Sequence, residues 1–177
     1  MPRGGVVHLG GTFEEIAAAE LDVLRGRMPP RPSVLVGQQY LADPTRSAHG
    51  INPVWAYAHV PHGYPGDATV AIARQIERFA PGFGERVVNT RVRDVAGMER
   101  HNPNYVGGDI NVGANSGWQL AMRPRLGLDP YATGVPGVYL CSSATPPGPG
   151  VHGMGGYNAA RSALRSLGAS DPVVRTG

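Results

Sequence analysis

The chain has 177 residues, with 26 glycines, 17 prolines and a single cysteine, enough for one domain and a small second lobe. Its formal charge is +3 and all 16 basic residues are arginines without a basic block, which argues against nucleic-acid binding, and one cysteine alone excludes an intrachain disulfide. No apolar run reaches membrane-spanning length, and the N-terminal Met1-Pro-Arg-Gly-Gly5 lacks a signal-peptide core, so a cytoplasmic protein, at most peripheral to a membrane, is expected.

Gly5-Val-Val-His-Leu-Gly10 reads as a short strand. Thr12 and Glu15 then form a capping-box pattern, and Phe13, Ile16, Ala17, Leu21 and Leu24 recur at helical spacing. Met28-Pro-Pro-Arg-Pro32 ends that helix. Residues 33–40 read as a second strand. Over 54–60, Trp55, Tyr57 and His59 alternate with Val54, Ala56, Ala58 and Val60, which predicts a half-buried strand with one face of large residues. Asp67 is positioned to cap a helix from Ala68 to Phe79. Residues 87–95, with Arg91 and Arg93 flanking Val92, are expected to form another strand. Residues 102–136 read as a long loop rich in Asn, Gly and Pro with Trp118 and Met122 as apolar anchors. A strand over Val138–Ser142 and a helix from about Gly153 to Leu167 follow, and the segment 169–177 is expected to fray. The fold class is therefore α+β: a mixed or antiparallel sheet with helices, closed by a strand, a glycine-rich turn and a helix.

That closing unit carries the chemistry. A helix start presents amides without intrahelical partners and the positive end of the helix dipole, and glycines let a ligand approach the backbone. Gly148-Pro-Gly150 and Gly153-Met-Gly-Gly156 supply such a turn, with His152 and Asn158 beside it. No βαβ unit continues from it, so it is not a self-contained dinucleotide fold. The six histidines do not make a metal-ligand spacing. His59 can line a cavity beside Trp55 and Tyr57 or sit in a core. Asp109 reads as a turn aspartate or a pocket residue. Cys141 is expected to be a buried, inert strand thiol. Ser142 and Ser143 lack a hydrolase elbow, which disfavours a hydrolase built on Ser143 and His152.

Three stretches resemble one family. They are His101-Asn-Pro-Asn-Tyr-Val-Gly-Gly-Asp109, the run Arg123-Pro-Arg125, and Gly137-Val-Tyr-Leu-Cys-Ser-Ser-Ala-Thr-Pro-Pro-Gly-Pro-Gly-Val-His-Gly-Met-Gly-Gly-Tyr-Asn-Ala-Ala160. From His101 to Leu164 the chain resembles the C-terminal part of phytoene desaturase-like FAD-dependent oxidoreductases, in the amine oxidase and phytoene dehydrogenase superfamily. The first hundred residues resemble that group's substrate lobe more loosely. The resemblance implies a partial substrate-binding lobe over 1–135 and the closing βα element of an incomplete FAD/NAD(P)-binding domain over 136–168.

It further implies that Val151, His152, Gly153 and Met154, with Gly150 in the same turn, line the isoalloxazine. Ser143 and Ala144 would lie toward the ribityl and pyrophosphate. Where many relatives carry a glycine–acid pair, this chain has Ser142-Ser143, so that hydrogen bond is lost or passes to a hydroxyl. Trp55, Tyr57, His59 and Asp109 are candidates for the substrate pocket, and no acid or base catalyst is identified. The implied reaction is flavin-mediated dehydrogenation or desaturation of an apolar or amine-like substrate. The family's N-terminal G-x-G-x-x-G unit has no counterpart here. The chain is therefore expected to be part of a larger enzyme, to depend on a missing FAD-binding portion or partner chain, and not to retain FAD alone. The competing expectation is a non-catalytic truncated homologue that acts as an assembly module and self-associates through uncovered apolar surface.

Overall fold

The computed structural model describes residues 5–113 and 117–169, and the chain divides into two compact units, Met1–Pro103 and Asn104–Gly177. The architecture is α+β, as the sequence predicts.

In the first unit, β1 (Val6–Leu9), β2 (Val34–Gly37) and β3 (Trp55–Ala58) form an antiparallel sheet in the order β1-β2-β3. The register pairs Leu9 with Val34, Val34 with Ala58, and Gly37 with Trp55. Because side chains alternate along a strand, one face gathers Val7, Leu9, Val34, Val36, Ala56 and Ala58. On that face, Leu9, Val34 and Val36 are buried with Ile76 of α2 (Thr69–Phe79), and Ile72 and Phe83 pack around them. The other face carries Trp55 and Tyr57, whose rings lie 5.1 Å apart.

Helix α1 (Phe13–Leu24) begins as its capping box requires. The Glu15 amide donates to Thr12 Oγ1 at 3.3 Å, and the Thr12 amide donates to Glu15 Oε2 at 3.0 Å. Glu15 also receives Arg31 at 3.1 Å and Arg78 at 3.0 Å, which ties the α1 start to α2. These cations and the Thr12 amide, led by Arg78, hold its carboxyl down from 4.5 to about 2. The Thr69 amide donates to Asp67 Oδ1 at 2.7 Å, so Asp67 caps α2 from just outside it.

Several expectations are corrected. Among the described residues, 87–94 pair with no strand and lead into α3 (Val95–His101). Only Arg91-Val92-Arg93 truly alternates, and Val88 and Val92 remain 74% and 52% exposed, so no apolar face forms to pack. The last expected strand contracts to one bridge, Ala132 to Tyr139, reinforced by Leu140 N–H to Tyr131 O at 2.7 Å. A strand needs an extended neighbour along its length, and among the described residues of its unit only the segment around Tyr131–Thr133 provides one. Cys141 is consequently exposed, not a buried strand thiol. His59 is not a core residue: it is more than half exposed and meets Glu20 at 3.0 Å. Trp118 does not anchor its loop; it is 81% exposed on α4 (Gly117–Met122). The expected fraying of the tail falls, from Ser170 onward, outside the described residues. The closing helix is found as α5 (Met154–Ser166).

Candidate functional site

The second unit builds a small cradle under the start of α5. Its floor is a turn over Ser142–Thr145. Thr145 is fully buried; its hydroxyl donates to Ser142 O at 2.8 Å and accepts from Ser142 N at 3.3 Å. The amides of Thr145 and Gly148 close the turn, donating to Ser142 O at 3.0 Å and Thr145 O at 2.9 Å. Ser142 Oγ receives the Ala144 amide at 3.0 Å. A threonine in this glycine- and proline-rich stretch thus replaces ladder hydrogen bonds that an isolated segment cannot make.

Two long side chains clamp the turn. Buried Arg123 donates through Nη1 to Ser143 O at 3.1 Å. Tyr131, also buried, donates its hydroxyl to Pro146 O at 2.8 Å. The body of α5 is fixed to the same scaffold: Ser162 donates to Asp129 Oδ2, and the Tyr131 amide donates to Asp129 Oδ1 at 3.0 Å. Burial opposes the charge on Asp129, but the Ser162 hydroxyl and the Tyr131 and Ala132 amides outweigh it and lower its pKa.

The helix start rests directly on this turn. A Cβ at Gly155 would lie 3.3 Å from both Ser142 O and Thr145 Oγ1, so glycine sets how closely α5 approaches. Gly153, at φ 66°, takes the left-handed conformation that turns the chain into the helix. His152 Nδ1 accepts the Met154 amide at 3.0 Å. An accepting Nδ1 places the neutral ring's proton on Nε2. The Gly155 and Gly156 amides have no protein acceptor among the described residues. With no acidic side chain in the first turn, the positive end of the α5 dipole is uncompensated there.

Beside this start lies an open groove of about 170 Å³, lined by residues 141–143, 148–150 and 152–156. That volume is below the few hundred Å³ of a site that encloses a cofactor-sized ligand. Five of its lining residues are glycines, Gly148, Gly150, Gly153, Gly155 and Gly156, so backbone makes up much of its wall.

Of the residues expected to hold cofactor, Ser143, Gly150, His152, Gly153 and Met154 line this groove. Ala144 and Val151 do not, and Val151 is fully exposed. Asp109 receives the amides of Asn111 at 2.8 Å and Gly113 at 2.6 Å, the bonding of a turn aspartate. Trp55, Tyr57 and His59 follow one another on and just after β3 of the first unit, with the Tyr57 and His59 rings 6.3 Å apart. The parts that the sequence did not reveal are Thr145, Tyr131 and Asp129. Their signal is weak: a polar residue within an apolar stretch or a proline-rich turn gains meaning only from its distant partner.

No protein-family model matches the chain, and no solved structure matches it. Over 93 residues it is 40% identical to the "Pyridine nucleotide-disulfide oxidoreductase domain-containing protein 2" of Rattus norvegicus, and equally to that of Mus musculus. The matched stretch covers 52% of this chain and 16% of each relative. The similarity is to an oxidoreductase-domain protein, over a small part of that protein's length.

Proposed function

We propose that this chain is the C-terminal portion of an FAD-dependent oxidoreductase, with residues 1–135 contributing to a substrate lobe and 136–168 closing the cofactor domain. The observation that carries this reading is the pair of amides at Gly155 and Gly156, which have no protein acceptor among the described residues and line a glycine-rich groove. The similarity to an oxidoreductase-domain protein over 16% of its length supports it.

When bound, the flavin supplies hydride acceptance from an apolar or amine-like substrate. The chain's residues orient and polarise. The Gly155 and Gly156 amides at the α5 start would hold an electron-rich edge of the group, and as preformed donors they would need no reorganisation. His152, with its proton on Nε2, offers one further donor beside the groove. Arg123, Tyr131 and Thr145 hold the turn that fixes the height of the helix start. Trp55, Tyr57 and His59 of the first unit and, taken separately, Asp109 of the second are the proposed substrate-facing residues, and Ser143 is the proposed contact toward the ribityl side. Capture of the ADP moiety falls to a βαβ unit carried by a preceding segment or a partner chain.

Co-expression with any adjacent coding segment found to carry G-x-G-x-x-G tests the reading. The complex is expected to keep a flavin absorbance band through gel filtration, and Gly155→Val to lose it. A complex that assembles but stays colourless after reconstitution with FAD overturns the proposal.

A further inference from the structure

A second cleft lies wholly within the first unit, between the loop Pro65–Asp67 and the extended strap Arg91–Asp94 that leads into α3. Its volume is about 510 Å³, within the range of small-molecule sites. Three arginines line it, Arg91, Arg93 and Arg100, together with Asp67 and Asp94.

Three guanidiniums face two carboxylates in this lining, which leaves a net charge of +1. Asp67 is turned to the Thr69 amide at 2.7 Å and Asp94 to the Gly97 amide at 2.6 Å. Arg100 reaches Asp94 only at 3.9 Å. Neither Arg91 nor Arg93 has an acidic partner among the described residues.

The side chains also converge. A Cβ at Gly97 would meet Asp94 Oδ1 at 2.8 Å, Arg93 Cγ at 3.2 Å and Arg100 Nη2 at 3.6 Å, so the Arg93 stem and the Arg100 guanidinium come together over that glycine beside the Asp94 carboxylate. Arg91 and Arg93 share one side of an extended strap by the two-residue period. Guanidinium groups pair with planar or tetrahedral oxyanions through two parallel N–H donors, and gathered guanidiniums favour a doubly charged oxyanion over a single charge. The cleft has no aromatic lining on which a nucleic-acid base could stack.

We propose that this cleft binds an oxyanion of the phosphate-monoester class, held by Arg91, Arg93 and Arg100. The site is separate from the α5 groove and does not depend on the flavin reading. The phosphate can belong to a soluble small molecule or to a lipid headgroup, and the recognition chemistry is shared.

The test uses the full chain with two probes, phenyl phosphate in calorimetric titration and phosphatidylcholine vesicles containing phosphatidic acid in co-sedimentation. Saturable phenyl phosphate binding in the millimolar range, weakened at least about tenfold by the double variant Arg91→Ala/Arg93→Ala, is the expected result. Arg86→Ala, at an exposed arginine that does not line the cleft, is expected to bind as the parent does. Binding of the vesicles with no binding of phenyl phosphate, lost in the same double variant, supports the site and assigns the phosphate to a headgroup. The proposal is overturned if neither probe binds, if the double variant binds as well as the parent, or if Arg86→Ala weakens binding equally. All three arginines are exposed, so matched far-ultraviolet dichroism is expected and a folding defect is distinguishable from a binding defect.

Discussion

The phenolic hydroxyl of Tyr131 donates to the carbonyl of Pro146 at 2.8 Å, across fifteen residues of chain. That bond fastens one side of the turn beneath α5 while Arg123 fastens the other at Ser143. Tyr131→Phe keeps the ring and leaves the Pro146 carbonyl without this donor. It is expected to cost about 1–2 kcal/mol of stability in the second unit, read by urea unfolding. Amide exchange at Thr145 and Gly148, whose N–H groups close the turn, should accelerate with it. Unchanged exchange there would show that the clamp does not hold the turn.

Adjacent glycines at the α5 start should respond in opposite directions. A Cβ at Gly156 meets nothing within 4 Å. Gly156→Ala therefore removes backbone freedom from the unfolded chain at no steric cost and should stabilise by about 0.5–1 kcal/mol. At Gly155 the nearest atoms stand 3.3 Å away and one is a backbone carbonyl. Gly155→Val drives a branched side chain into that contact and should destabilise by about 1–3 kcal/mol. Thermal melts of the two single variants decide the point; shifts of the same sign would refute the close approach.

The core of the first unit sets a third contrast. Ile76 is 2% exposed among Leu9, Val34 and Val36, whereas Phe13 is 80% exposed although it lies on the apolar stripe of α1. Ile76→Ala should cost about 2–5 kcal/mol, through lost transfer energy and a cavity. Phe13→Ala should fall within about 0.5 kcal/mol of the parent. Denaturant midpoints of the two variants test the assignment of the core.

These contrasts also mark what could be read from the sequence. Helix α1 was legible because its capping box is local, and β3 because the alternation of Trp55 and Tyr57 with alanines records its two faces. The start of α5 was legible from its glycines. Residues 87–94 and 138–142 were not, because an extended segment becomes a strand only when a partner lies alongside. In the site, Gly153 and Met154 were found and Thr145 was not. The roles of Arg123 and Tyr131 rest on partners twenty and fifteen residues away, and spacing does not encode such contacts. His59 deceived for the same reason: its alternation with Tyr57 is real, but Glu20 on α1 gives it an exposed partner instead of a core.

The uncovered apolar residues on the Val138–Leu140 segment predict association. Val138 and Leu140 are 49% and 38% exposed, and the segment makes a single bridge to its neighbour. Apolar side chains on an underpaired extended segment invite another edge. Sedimentation velocity of the isolated chain should show concentration-dependent association that Leu140→Lys reduces. A clean monomer at all concentrations would remove the basis for an assembly role.

The pH dependence of the first unit should be set in part by Glu15. Its carboxyl is held at about 2 in the folded chain against an ordinary 4.5, with the Arg78 hydrogen bond as the largest cause and the Thr12 amide next. A depressed carboxylate pKa means that the unfolded chain binds the proton more tightly than the folded one. Its contribution to stability is therefore complete above about pH 4.5 and is lost as the pH falls toward about 2. Glu15→Gln removes the charge at every pH and should flatten the stability profile across that interval, while lowering stability at neutral pH. Because the pairs with Arg31 and Arg78 reach solvent, added salt should shrink the parent's advantage. Urea midpoints of parent and variant at neutral and acid pH, at low and high salt, measure all three effects. A variant whose profile runs parallel to the parent's down to pH 2 would show that Glu15 is not the group that titrates.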